Sequence, residues 1–207
     1  MKFKKLFFVI ALSCLCNLSN AQKSTQDQKM KWWQDGKFGM FLHWGLYSQA
    51  AGDWKGKPYK GNEHFMIYEK LHLKEYATLA NDFNPTLFNA DQWVKTAKDA
   101  GMKYIVLTTK HHEGFAMYNS PSSEYNIVKK TPFKRDPVKE LAAACKKNGM
   151  KFCFYYSLGR DWEDPDVATN WPTKGGRSNL TDYPNEDTKD FSKYFERKVK
   201  PQISQSR

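Results

Sequence analysis

The chain has 207 residues, 40% apolar and 27% charged, a balance that reads as soluble and globular with room for one domain around a real core. Its formal net charge of +11 comes with no basic patch interleaved with aromatics and no nucleic-acid motif, which excludes nucleic acid as an expected partner. The charge reads instead as solvated helix faces and loops.

Residues 1–21 stand apart from the fold. Lys2, Lys4 and Lys5 give a basic start, and the apolar run from Leu6 to Leu15 is too short to span a bilayer. Ser19 and Ala21 place small residues at minus three and minus one before Gln22. This is the pattern of a secretory signal peptide cleaved after Ala21, and it predicts a secreted or periplasmic protein. A lipoprotein is the lesser alternative, because Ala-Leu-Ser precedes Cys14. No other run is long enough to cross a membrane. Losing three lysines would take the charge from +11 to +8 and leave Cys145 and Cys153, with neither a disulfide framework nor zinc spacing. Two buried thiols are expected.

Gln22 to Met30 reads as a polar, flexible lead-in to a folded part over 31–207. Lys37 to Trp44 reads as the first strand: Gly39, Phe41 and His43 share one face, and Phe38, Met40, Leu42 and Trp44 the other. Gly45 to Lys60 is a loop. Short helices are expected over Glu63 to Lys70 and Leu73 to Asn81. Asn89 is the N-cap of a further helix, with Gln92 at the capping-box position and Gly101 as its end. Lys103 to Lys110 is an apolar, β-branched second strand that stops at His111-His112-Glu113-Gly114. Neighbouring strand side chains face opposite ways, so both histidines meet one ligand only if the strand ends near His111 and the backbone turns at Gly114. Asp136 and Pro137 open a helix that Gly149 closes. Met150 to Ser157 is a third strand. Asp161 to Asp187 reads as a polar loop whose Asp161, Glu163, Asp164 and Asp166 are solvated, and Thr188 to Ile203 as a last helix charged on one face.

Strand, helices, strand, helix, strand, helix is the order of an α/β fold with a parallel sheet. Each strand ends in polar or aromatic residues: His43-Trp44, His111-His112 and Tyr156-Ser157. Polar groups at the C-terminal ends of consecutive parallel strands are what a (β/α)8 TIM-barrel site requires. Three βα units make an incomplete, N-terminal portion of such a barrel.

Four motifs, Trp33-Gln-Asp-Gly-Lys-Phe-Gly-Met-Phe-Leu-His-Trp-Gly-Leu-Tyr-Ser48, Asn62-Glu-His-Phe65, Thr109-Lys-His-His-Glu-Gly-Phe115 and Tyr155-Tyr-Ser-Leu-Gly-Arg-Asp-Trp162, stand in this order. Together they resemble the α-L-fucosidases of glycoside hydrolase family 29. The resemblance implies a (β/α)8 catalytic barrel and retaining hydrolysis of terminal α-L-fucose on glycans, without a cofactor. It makes His43, Glu63, His111 and His112 binders of fucose hydroxyls, and Tyr156 the aromatic that closes the pocket. His64 joins the substrate-binding set at a position where some members carry tryptophan. The nucleophilic aspartate and the acid/base glutamate are expected beyond Arg207, so the chain reads as a truncated fucosidase that holds the sugar without the chemistry.

The physics of the residues agrees. Fucose is neutral, so its site wants directional donors and acceptors, which imidazoles and a carboxylate supply. Its methyl wants an apolar wall, for which Phe41, Trp44, Trp54 and Phe115 are candidates. Two alternatives remain at this point. One is a metal-dependent barrel hydrolase with His43, Glu63, His111 and His112 as ligands. The other is a non-catalytic sugar-binding remnant.

Overall fold

The structure is a computed structural model of the chain and describes residues 28–167 and 189–205. The signal peptide expected over 1–21 and the lead-in as far as 27 lie outside the described residues. The contact pattern divides the chain at Gly39. In the first unit, residues 28–36 form a helix, α1, so the last three residues of the expected lead-in are helical. Lys31 and Asp35 pair across one turn of it at 2.8 Å.

The second unit is an α/β layer. β1 (Met40–Leu42), β4 (Tyr104–Lys110) and β5 (Lys151–Tyr156) form a parallel sheet in the order β1-β4-β5. β4 is the central strand, with Phe41 opposite Val106 and Val106 opposite Cys153. Its β-branched run suits a pleated surface covered by neighbours. Ile105 and Leu107 are fully buried, in one core with Val94 of α5 (Ala90–Asp99) and Leu141 of α7 (Pro137–Asn148). Truncating Leu107 to alanine would cost about 2–5 kcal/mol.

Both helices begin and end as their sequence dictates. The Asn89 side chain accepts from the Gln92 N–H at 3.0 Å, and Asp136 from the Lys139 N–H at 2.9 Å. Each satisfies an N–H that the first turn leaves without a helical partner. Gly149 ends α7 in the left-handed conformation, with φ of 68°.

Between β1 and α5 the expected loop carries structure of its own. α2 (Tyr47–Ala50) is followed by a small antiparallel hairpin of β2 (Asp53–Trp54) and β3 (Lys57–Pro58). A 3-10 turn, Asn62–His64, then leads into α3 (Phe65–Tyr68). The helix expected over 73–81 is α4 (Leu73–Tyr76) followed by a 3-10 turn, Ala77–Asn81. α6 (Ile127–Lys130), between β4 and α7, has no counterpart in the sequence reading. The last helix runs as α8 (Phe191–Tyr194), a π-helical stretch Phe195–Val199 and α9 (Lys200–Gln205).

β1 ends earlier than its apolar alternation suggests. The Trp44 N–H donates to Thr108 Oγ1 at 3.0 Å instead of joining the ladder, and the Tyr47 hydroxyl bonds the same oxygen at 2.9 Å. Thr108 therefore peels the chain away from the sheet and aims His43 and Tyr47 over the end of β4. One expectation is corrected here: of the two thiols Cys145 is buried but Cys153 is half-buried, and both are free. Phe41 and Phe154 are each 51% exposed.

Candidate functional site

β4 delivers its residues through an irregularity. Thr108 pairs with Tyr155 but Lys110 pairs with Tyr156, so Thr109 is one residue too many. Such a bulge re-aims the side chains that come after it. Without it Lys110 would face the same way as Thr108. With it, Lys110 lies over the Tyr156 ring at 4.8 Å, and His111 comes to the side of His43 and Tyr155, with ring centroids 5.6 and 6.1 Å away.

The backbone then turns. Gly114 N–H donates to the His111 carbonyl at 3.2 Å, and Gly114 adopts φ of +89°. A Cβ on Gly114 would stand 2.4 Å from Asp161 Oδ1, so both conformation and space demand glycine. The turn stacks the His112 ring on His111 at 4.2 Å. The 3-10 turn brings His64 to 5.2 Å from His111 and 5.3 Å from His112, with Glu63 Oε1 3.2 Å from His64 Nδ1.

Five of the six residues named from the sequence, His43, Glu63, His64, His111 and His112, thus meet at the C-terminal ends of β1 and β4. Tyr156 does not join them. It points to the other face, beside Lys110, Val167 and Val199. The neighbouring Tyr155 lies on the side of the imidazoles, 6.2 Å from the His43 ring. The identity of the strand was legible; its parity was not, because it is set by the bulge. Among the four aromatics considered for an apolar wall, Phe41 stands at the site, stacked on His43 at 5.0 Å. Trp44 packs against Phe88 and Trp93, Phe115 against Tyr125, and Trp54 against Phe65, all in or against the core. Residues the sequence reading passed over are Tyr47, 5.5 Å from His111, and Glu113, whose Oε2 is 3.4 Å from His111 Nδ1.

Electrostatically the site disfavours the charged form of three of its imidazoles. Burial lowers His43, against the pull of Glu63, and lowers His64. Burial, reinforced by the neighbouring His111 and His64, takes His112 down to about 2. A neutral imidazole carries one donor and one acceptor. His111 Nδ1 and Glu113 Oε2 are buried and make no hydrogen bond among the described residues. Buried polar atoms left so are costly unless a ligand completes them. The arrangement is suited to a neutral, hydroxyl-rich ligand.

One nitrogen each of His64, His111 and His112 also lies within 4.8 Å of the others. Two nitrogens on one zinc stand no more than about 4.2 Å apart, so a metal would need them drawn together.

The other side of the β4 end is an ion network. Lys110 Nζ donates to Asp161 Oδ2 at 3.2 Å and to the Arg160 carbonyl at 2.9 Å. Lys198 of the π-helical stretch reaches Asp161 at 3.4 Å and also pairs with Glu163. Arg197 holds Asp164 at 2.6 Å and Asp166 at 2.9 Å. The expectation that these four acids are solvated surface is therefore corrected for Asp161 and Asp164, while Glu163 and Asp166 stay partly exposed. Asp161 and Asp164 are buried, as are Lys110 and Lys198. Burial works against the charge on Lys198, but Asp161 and Glu163 outweigh it and hold its pKa up.

The α-L-fucosidase family model matches residues 16–205. The tissue α-L-fucosidase of Mus musculus is 38% identical over 141 residues, 65% of this chain and 31% of that protein. The plasma α-L-fucosidase of Homo sapiens is 36% identical over 151 residues, 65% of this chain and 30% of that protein. Among solved structures, α-L-fucosidase AlfC from Lactobacillus casei in complex with its α-L-fucose product superposes with a TM-score of 0.77 at 43% identity. That match covers 85% of this chain and 57% of that one. The Bacteroides thetaiotaomicron enzyme, trapped as a covalent intermediate with 2-fluoro-fucosyl fluoride, gives a TM-score of 0.72 at 33% identity over 86% of this chain and 39% of that one. The chain spans about a third of the length of the curated relatives it matches. With the motifs, the strand-end site and these likenesses in agreement, the chain belongs to the α-L-fucosidase family of glycoside hydrolases.

Proposed function

We propose that this chain is the sugar-binding portion of an α-L-fucosidase and that the pocket of His43, Glu63, His64, His111 and His112 holds terminal α-L-fucose of glycans. The observation that carries the reading is the meeting of four imidazoles, His111 and His112 buried, His64 half-buried and His43 exposed, with a glutamate at the C-terminal strand ends. Tyr155 takes the pocket-closing role, and Phe41 is the wall for the fucose methyl. β1, β4 and β5 are the first strands of a (β/α)8 barrel; their parallel order and the position of the site support this.

Retaining hydrolysis needs two carboxylates about 5–5.5 Å apart, a nucleophile and an acid/base. The ion network engages Asp161, Glu163 and Asp164 with cations, which leaves none of them suited to either role. The pair belongs to the part of the relatives' length beyond the matched span. Export follows the same logic: residues 1–21 act as a cleaved leader, and the N-terminal sequence of the secreted protein should begin at Gln22.

The experiment is release of 4-nitrophenol from its α-L-fucoside by the full reading frame, with and without chelator. Hydrolysis that survives chelation supports the reading. The second reading, a metal-dependent hydrolase, is favoured by the closeness of the three imidazoles. It requires stoichiometric zinc by elemental analysis and loss of hydrolysis on chelation.

A further inference from the structure

We propose that Ser157 is a positioning residue: it fixes His112 in the Nδ1–H tautomer and so makes Nε2 the acceptor for a hydroxyl of the bound sugar. The inference rests on the fucose-binding reading and adds the direction of one hydrogen bond to it.

Ser157 directly succeeds β5, and its buried Oγ lies 2.6 Å from His112 Nδ1. A hydroxyl has one proton to give. Ser157 gives it to the Arg160 carbonyl at 3.0 Å. That carbonyl also accepts from Lys110 Nζ at 2.9 Å, and its two lone pairs accommodate both donors. With its proton committed, the serine oxygen can only accept, so the proton between it and His112 sits on Nδ1. His112 is buried against the rings of His111 and His64, and a neutral imidazole protonated at Nδ1 carries a lone pair and no proton at Nε2.

The surroundings hold this arrangement rigid. Ser157 N–H donates to the Lys110 carbonyl at 2.9 Å, and Trp162 N–H to the His112 carbonyl at 2.8 Å. The Trp162 ring packs edge-on against His112 at 5.7 Å. The ion network at Lys110 and Asp161 pins the same loop from behind. Partners that fix a histidine tautomer in this way decide what its other nitrogen recognises. A ligand that offers only an acceptor to Nε2 is therefore rejected, and one that offers a hydroxyl proton is held.

The test is long-range 1H–15N correlation of the histidine rings, with the His112 resonances assigned by their loss in His112→Asn. The expected result is a pyrrole-type nitrogen at Nδ1 and a pyridine-type nitrogen at Nε2. The reverse pattern would overturn the proposal, and this arm needs no folded serine variant. Ser157→Ala should introduce the Nε2–H tautomer and lower L-fucose affinity about tenfold. Ser157→Thr, which keeps the hydroxyl, should restore both. Unchanged tautomer and affinity in Ser157→Ala would also overturn it. If the wild-type tautomer is as stated but L-fucose does not bind, the sugar reading fails and the tautomer assignment stands.

Discussion

The two sides of the β4 terminus treat their polar groups in opposite ways. On one side Lys110, Asp161, Lys198, Asp164 and Arg197 each have an opposite partner at 3.6 Å or less. On the other, His43, His64 and His112 are pushed towards neutrality, and His111 Nδ1 and Glu113 Oε2 make no hydrogen bond among the described residues. The network matches each charge with an opposite one, although Asp161 Oδ1 makes no hydrogen bond among the described residues; its work is to hold the loop in place. A neutral, incompletely bonded cluster is poised to bind a ligand. Proximity to the strand end does not separate framework from site, but the pairing of opposite charges does.

The largest effect that would break this contrast is on the framework side. Asp161→Ala leaves Lys110 and Lys198 buried with a lost partner and should destabilise the fold by about 3–5 kcal/mol, read by chemical denaturation. A loss below about 1 kcal/mol would show that the network is dispensable. Next, His111→Ala should lower L-fucose affinity roughly ten- to hundredfold by calorimetry while changing stability less than Asp161→Ala does.

The tyrosine pair sharpens the contrast further. Tyr155→Phe should weaken L-fucose binding several-fold, whereas Tyr156→Phe should leave affinity unchanged. The opposite ranking would restore Tyr156 to the pocket. This is also where the sequence was least informative. Tyr155 and Tyr156 are adjacent residues of one apolar strand, and only the bulge at Thr109 tells which faces the imidazoles. β4 itself was legible, because a β-branched run closed by His-His-Glu-Gly has few other solutions. The helix caps at Asn89 and Asp136 were legible because capping is local chemistry. The early end of β1 was not, since it depends on a threonine 64 residues away taking the Trp44 N–H. Nor was the burial of Asp161, whose cations lie 51 and 37 residues off in opposite directions along the chain.

The smallest effect is on pH. His112 has a folded-state pKa of about 2 against an ordinary 6.5, and His43 and His64 shift the same way. A depressed value means that the unfolded chain takes up the proton first. Their contribution is thus complete above about pH 6.5 and is lost as the pH falls from there towards 2. The melting temperature should be nearly flat from about pH 7 to 8 and decline on acidification below about 6.5. Stabilisation on going from about pH 6.5 to 5 would contradict imidazoles whose charged form the fold disfavours.

The most direct test of the sugar pocket is a structure of the protein with L-fucose bound. The account predicts fucose hydroxyls within hydrogen-bonding distance of His43, Glu63, His111 and His112, with the methyl against Phe41. Fucose bound elsewhere, or a metal ion shared by His64, His111 and His112 in its place, would contradict it.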